Sequence, residues 1–131
     1  MTNSNDAIRL TAVNHVTYNV KDRERALRFW VDVLGIKQIP SQVESETIIW
    51  LQLPDGTMVH LTTNEAGASR PSHHAAFEVD DIEGYRAHIV SHNIDATEIT
   101  TRKDGQREFK FDDTEGNRIE ICTKSGFGIL V

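Results

Sequence analysis

Two stretches of the chain alternate apolar and polar residues with a period of two, the mark of a strand that buries one face. They also match one another. Asn14-His15-Val16-Thr17-Tyr18-Asn19-Val20 and His73-His74-Ala75-Ala76-Phe77-Glu78-Val79 both carry His in second place, Val in last place and an aromatic ring two residues before it. After each stretch the period becomes helical. Asp22 is placed to cap the first helix, whose apolar positions Ala26, Leu27, Trp30, Val33 and Leu34 run up to Gly35. Asp80 or Asp81 caps the second. Its stripe is Ile82, Tyr85, Ile89 and Val90, with Asn93 at the left-handed position past its end. Phe29, Trp30 and Tyr85 read as helix-to-sheet packing.

Each half closes with a hairpin. Residues 47–53 and 57–63 flank the turn Pro54-Asp55-Gly56, and 107–112 and 117–123 flank Thr114-Glu115-Gly116. Residues 37–40 and 96–100 supply a short strand between helix and hairpin. The chain is therefore read as a duplicated unit of strand, helix and three strands. Module one covers residues 10–63, a linker with Gly, Ala, Ser and Pro covers 64–72, and module two covers 73–123, leaving tails at 1–9 and 124–131. The last tail holds Phe127, Ile129, Leu130 and Val131, suited to cover either the domain or a partner subunit.

The duplication extends to side chains that bind metals. His60 lies four residues after Gly56 and Glu120 four after Gly116; His15 to His60 spans 45 residues and His74 to Glu120 spans 46. Alternate residues of a strand share a face. His15 thus goes with Thr17 and Asn19, His74 with Ala76 and Glu78, His60 with Met58, Thr62 and Asn64, and Glu120 with Arg118 and Cys122. The opposite faces are almost wholly apolar, which predicts a curved sheet with helices on its outer side and the four candidate ligands lining an inner cavity. His73 and His74 point to opposite faces, and the repeat selects His74. His88 and His92, four apart on the second helix, read as solvated surface.

Composition narrows the partners. The 131 residues fit one domain, and 38% hydrophobic and 26% charged residues are ordinary for a globular protein. A net charge of −6 argues against nucleic acid, which needs a basic face. No apolar run approaches the ~20 residues of a membrane span, and Met1 to Arg9 lacks the apolar stretch of a signal peptide. Cys122 is the sole cysteine, so the expected setting is a reducing cytoplasm.

Val13-Asn14-His15-Val16, the helix end Phe29 to Gly35, the run His74 to Asp81 and Asp113-Thr114-Glu115-Gly116-Asn117-Arg118-Ile119-Glu120 together resemble the vicinal oxygen chelate superfamily. That superfamily includes glyoxalase I, extradiol dioxygenases, fosfomycin-resistance enzymes and bleomycin-binding proteins. The likeness covers roughly residues 10–123, with Thr114 standing where the family usually has Pro. It implies an α+β fold of two βαβββ modules forming a cup-shaped mixed sheet, the glyoxalase/dioxygenase-like fold. It further implies one divalent ion (Fe, Mn, Co, Ni or Zn) held by His15, His74 and Glu120, with His60 at the family's variable fourth position. Related enzymes often form dimers, and some build the site from modules of two chains. A homodimer with a small-molecule substrate is therefore expected, with closure within one chain or exchange between chains both open.

Four ligands would leave about two positions of an octahedron for a substrate with adjacent oxygens. The first expectation is a glyoxalase-like lyase or isomerase that transfers a proton through a metal-stabilised enediolate, with Glu120 as the catalytic base. Asn64 matches a glyoxalase residue that contacts glutathione, whereas Asn19 replaces the Arg that holds the glutathione carboxylate. An Fe(II) extradiol dioxygenase is the alternative; it lacks the expected Tyr, since Phe109-Lys110-Phe111 occupies that strand. A fosfomycin-type thiol transferase is supported by Thr17 but lacks the Tyr and Arg expected beyond Thr123. A metal-free drug-binding protein is the non-catalytic reading. Substrate contacts are expected from Thr17, Asn19, Trp50 as an aromatic platform, Thr62, Asn64, and Arg118 as an anion clamp.

Overall fold

The computed structural model describes residues 12–41, 47–68, 73–103 and 105–124. The tail 1–9, the end of the linker and the apolar tail from 125 onward lie outside the described residues. Strand β1 (His15–Val20) leads into α1 (Arg23–Arg28), β2 (Lys37–Ile39), β3 (Ile48–Gln52) and β4 (Met58–Thr63). The second module repeats the order with β5 (Ala75–Glu78), α2 (Ile82–Ser91), β6 (Thr100–Thr101), β7 (Arg107–Asp112) and β8 (Arg118–Cys122). Two four-stranded mixed sheets result, ordered β1-β4-β3-β2 and β5-β8-β7-β6, with the first and last strands of each module parallel. This is the expected α+β fold of two βαβββ modules.

The local chemistry follows the sequence closely. The Asp22 side chain accepts from the Arg25 amide and the Asp81 side chain from the Gly84 amide, so both helices carry Asp caps. Gly35 (φ 80°) and Asn93 (φ 61°) take the left-handed positions past the helix ends. One detail differs. The first helix widens over Phe29–Val33 into a π-type turn, in which the Leu34 amide reaches the Phe29 carbonyl at 3.1 Å. That turn lets both Phe29 and Trp30 reach the interior, where they are 6% and 1% exposed. The short third element of module two is also slighter than expected, a bridge from Ala96 to Phe111 followed by the two-residue β6.

The two modules share one core. Tyr18, Val20, Ile49, Leu51, Val59 and Leu61 of the first sheet join Phe109, Phe111, Ile119 and Ile121 of the second, with Trp30 and Ile89 from the helical segments. Trp30 packs edge-on to Phe77 at 6.0 Å, and the Tyr85 hydroxyl donates to the Leu34 carbonyl at 2.9 Å. Tyr18 spans the junction: it accepts from the Ala75 amide at 2.9 Å and donates to the Arg118 carbonyl at 3.2 Å. Burial pushes its pKa up to about 12, so it stays a neutral donor.

The turn between β7 and β8 fastens the modules. The buried Asp113 carboxylate accepts from the Glu115 and Asn117 amides and, at 3.2 Å, from the Trp30 indole of module one. Asn117 donates to the Asn19 carbonyl at 2.8 Å. Glu115 accepts from the Lys21 and Asp22 amides and from the Arg25 guanidinium, each at 2.8 Å. Burial would raise the Glu115 pKa; the Arg25 guanidinium and the two amides outweigh it and hold the carboxyl below its ordinary range. A depressed carboxylate contributes stability above its unfolded pKa, near about 4.3, and loses it as pH falls through the folded value. Glu115→Gln should therefore lower stability by about 2 kcal/mol at pH 7, with the gap to wild type narrowing below about pH 4. Urea unfolding at the two pH values reads both; a gap that is constant with pH would contradict the charge-based account.

Candidate metal centre

The first half of the candidate site is a column of three rings carried by neighbouring strands. In the ladders His60 of β4 lies opposite Thr17 of β1 and opposite Trp50 of β3. The His60 ring stacks on His15 at 4.3 Å on one side and on Trp50 at 4.5 Å on the other, nearly parallel to both. His15 Nδ1 lies 2.8 Å from the Asn14 side-chain oxygen, a pairing that makes Nδ1 the donor and leaves the Nε2 lone pair for a ligand. His60 is buried, and among the described residues its Nε2 has no hydrogen-bond partner. Burial first, and the neighbouring His15 second, lower the His60 pKa, so the ring stays neutral. A neutral imidazole with an orphaned buried nitrogen suits a metal ligand.

The second half is charged. His74, just before β5, places Nε2 3.2 Å from Glu120 Oε1. Arg102 donates to Glu120 Oε2 at 3.3 Å, and Lys110 Nζ stands 3.9 Å from Oε1. Lys110 also binds Glu108 at 2.7 Å, and Thr100 donates to the other Glu108 oxygen at 2.6 Å. Burial opposes ionisation of Glu108, but the Lys110 and Thr100 bonds outweigh it and lower its pKa. Across the ladder from Glu108 lies the buried Cys122, whose thiol pKa is raised by burial and then by Glu120.

The ladders of the two halves correspond. His60 pairs with the residue two beyond His15, and Glu120 with Ala76, two beyond His74. Trp50 faces His60 as Lys110 faces Glu120. Yet the halves are not brought together. Tyr18 and Phe77, on the other faces of their strands, point into the shared core, so each pair occupies the face of its own sheet turned away from that core. Among the described residues, no three His, Cys, Asp or Glu side chains are grouped to hold one metal ion.

The remaining expected site residues are dispersed. Thr17 lines a shallow groove with His73 and His74 where β1 meets the start of β5. Asn19 accepts at its carbonyl from Asn117, and Thr62 sits half-buried across from Ile48. The Asn64 side chain accepts from the Ala66 amide at 2.8 Å. Arg118 is held by Asp112 at 2.7 Å. Sequence reading passed over Arg102, Glu108 and Lys110 as site residues. Hairpin register about Glu115-Gly116 could have placed Lys110 across from Glu120; nothing in the pattern marks Arg102, which comes from the loop after β6. His88 is exposed, as expected for surface, with Nε2 2.8 Å from the Val33 carbonyl.

Fold and site together define the class: the chain belongs to the Glyoxalase/Bleomycin resistance protein/Dioxygenase superfamily, whose family model matches residues 12–121. The protein YaeR of Escherichia coli (strain K12) is 30% identical over 124 residues, covering 86% of this chain and 95% of YaeR. A glyoxalase family protein from Bacillus anthracis has the same fold, with a TM-score of 0.78 at 22% identity over 94% of this chain and 98% of its own. Lactoylglutathione lyase from Agrobacterium tumefaciens (TM-score 0.71, 16% identity, 87% and 94% covered) and the oxidase ChaP-H2 (0.71, 24%, 90% and 99%) share it too. Among the described residues no helix is long and apolar enough to cross a membrane.

The ring column offers an optical test. A paramagnetic ion such as Ni(II) bound at His60 would lie within a few ångströms of Trp50 and quench its emission. Ni(II) titration should therefore quench tryptophan fluorescence, and Trp50→Phe should remove most of that quenching. Undiminished quenching in the variant, with Trp30 the only indole left, would place the ion elsewhere.

Proposed function

We propose that this chain is a divalent-metal-dependent enzyme, a lyase or isomerase of glyoxalase type that moves a proton on a small α-oxygenated substrate. It acts as a homodimer in which His15 and His60 of one copy meet His74 and Glu120 of the other. The observation that carries this reading is the pair of corresponding half-sites on outward sheet faces, one of them ending in the orphaned Nε2 of His60. The first strand of each module, β1 with His15 and β5 directly after His74, lies at a sheet edge, where a second copy can complete the arrangement.

Three imidazoles and one carboxylate suit Fe, Mn, Co, Ni or Zn. A bound ion would supply Lewis-acid stabilisation of the negative charge on two adjacent substrate oxygens. Glu120 is the proton carrier: it is the carboxylate of the set, and His74 and Arg102 already fix its two oxygens. Trp50 offers an apolar wall beside His60, while Thr17, Asn19 and Thr62 share the face of the histidines and can hydrogen-bond the substrate. Asn64 and Arg118 complete the proposed contacts at the edges of the site. The fold is common to a lyase and an oxidase, so the four-ligand shell, which leaves fewer open positions for oxygen, is what favours proton transfer.

Elemental analysis of purified protein should find close to one divalent ion per chain. His15→Ala and Glu120→Ala should abolish it, and His60→Ala should weaken binding about 10–100-fold or more. Metal retained by both of the first two variants would sink the site. Turnover should appear with 2-oxoaldehyde–thiol adducts or related α-hydroxycarbonyls and without oxygen uptake. Fe(II)-dependent oxygen uptake on catechols would instead assign an extradiol dioxygenase.

A further inference from the structure

The charged half-site holds more cations than a metal ligand requires. Glu120 is engaged by Arg102 at 3.3 Å and approached by Lys110 at 3.9 Å, so its charge is already compensated without a metal. Glu108 is the second acid of the group and has its own partners, Lys110 at 2.7 Å and Thr100 at 2.6 Å. Arg118 and Asp112 on the same face neutralise each other at 2.7 Å, and Glu78 on β5 is exposed to solvent. Among the described residues, the carboxylate within ion-pair distance of Arg102 is Glu120 alone. Its other side-chain contact is Gln106, at 3.1 Å.

A divalent ion on Glu120 upsets this balance. The carboxylate's charge would be committed to the ion, Arg102 would lose its one acidic partner among the described residues, and Lys110 would keep one of its two there. The local ledger would then run from neutral to doubly positive, in a place where Glu120 and Glu108 are 5% and 8% exposed and screening is weak. An incoming anion is the simplest way to restore it. Arg102 is 47% and Lys110 28% exposed at the side chain, so both can reach an arriving ligand. Lys110 occupies the ladder position that Trp50 occupies in the other half, so the two flanks of the site differ in kind: aromatic beside His60, cationic beside Glu120.

We propose that Arg102 and Lys110 form an anion-binding subsite, masked by Glu120 in the metal-free chain and released when Glu120 takes a metal. The substrate of the proposed enzyme is accordingly an acid, carrying a carboxylate or phosphate beyond its pair of adjacent oxygens. The inference rests on the metal-dependent reading above. It adds a charge preference that ranks acidic α-hydroxycarbonyls above neutral ones.

The test is titration calorimetry on the full-length Ni(II)-loaded protein with three probes that share a hydroxyketone. Dihydroxyacetone is neutral, dihydroxyacetone phosphate adds a phosphate, and 5-hydroxy-4-oxopentanoate adds a carboxylate. At least one anionic probe should bind about tenfold or more tighter than dihydroxyacetone, as expected for one or two charge-assisted hydrogen bonds. Whichever is preferred identifies the acid. Arg102→Gln and Lys110→Gln should each reduce the preference, while Ni(II) affinity, measured separately, should be unchanged or tighter because a competitor for Glu120 has gone. Equal binding of all three probes to the loaded wild type would overturn the subsite, as would a full preference surviving in both variants or a loss of Ni(II) from them. Wild type that takes up no Ni(II) would instead overturn the metal-dependent reading on which the subsite stands.

Discussion

The structure hangs on a five-residue turn. Asp113, Glu115 and Asn117 tie the end of module two to the start of module one through Trp30, the Lys21 and Asp22 amides just before α1, and the Asn19 carbonyl. Burying the Asp113 carboxylate is costly, and burial does raise its pKa, but two backbone amides, the Asn117 side chain and the Trp30 indole satisfy its oxygens. Gly116, at φ 87°, lets the turn close on itself, with its amide on the Asp113 carbonyl at 3.1 Å. Once this turn sits against the β1–α1 junction, Trp30 and Phe77 are driven together and the apolar faces of both sheets enter one core. Each partner loss here would strand a buried polar group, at about 1–3 kcal/mol apiece.

The same fastening determines what the polar faces can do. With the apolar sides of both sheets committed inward, the ring column of module one and the charged cluster of module two are left on outward faces. Each is half of the proposed ligand set. In the proposed dimer, the duplication within the chain serves the assembly: one copy supplies two imidazoles and an aromatic wall, the other an imidazole, a carboxylate and two cations. The chemical asymmetry of the halves, His60 with Trp50 against Glu120 with Lys110, would then orient an asymmetric substrate.

Most of the fold was legible because it depends on local signals. Period-two strands, Asp caps, a Gly and an Asn at helix ends, and hairpin turns all appear as read, and the equal spacing of His60 and Glu120 after their glycines foretold matching ladder positions. Less legible were features set by tertiary packing. The π-type turn at Phe29–Val33 answers the need to bury two large rings at once, and no periodicity announces it. Asp113, Glu115 and Asn117 were recognisable as part of a family motif, but their reach to the other module was not, since hydrogen bonds across 83 to 98 residues leave no spacing signal. Arg102 was invisible too, because it reaches Glu120 from the loop after β6, outside any strand register. Whether the halves meet within one chain or between two was open in the sequence, and the answer favoured here rests on strand faces relative to the core.

The account's central claim, that one metal site draws on two copies, is tested most directly by complementation. One variant lacks His15 and His60, the other lacks His74 and Glu120, each pair replaced by Ala, and the two are co-expressed in equal amounts. Neither alone should hold metal. Random pairing should give half of the dimers one intact site, restoring about a quarter of the wild-type metal content. Absence of metal from the mixture, with both variants folded and wild type loaded, would contradict the shared site and return all four ligands to a single chain.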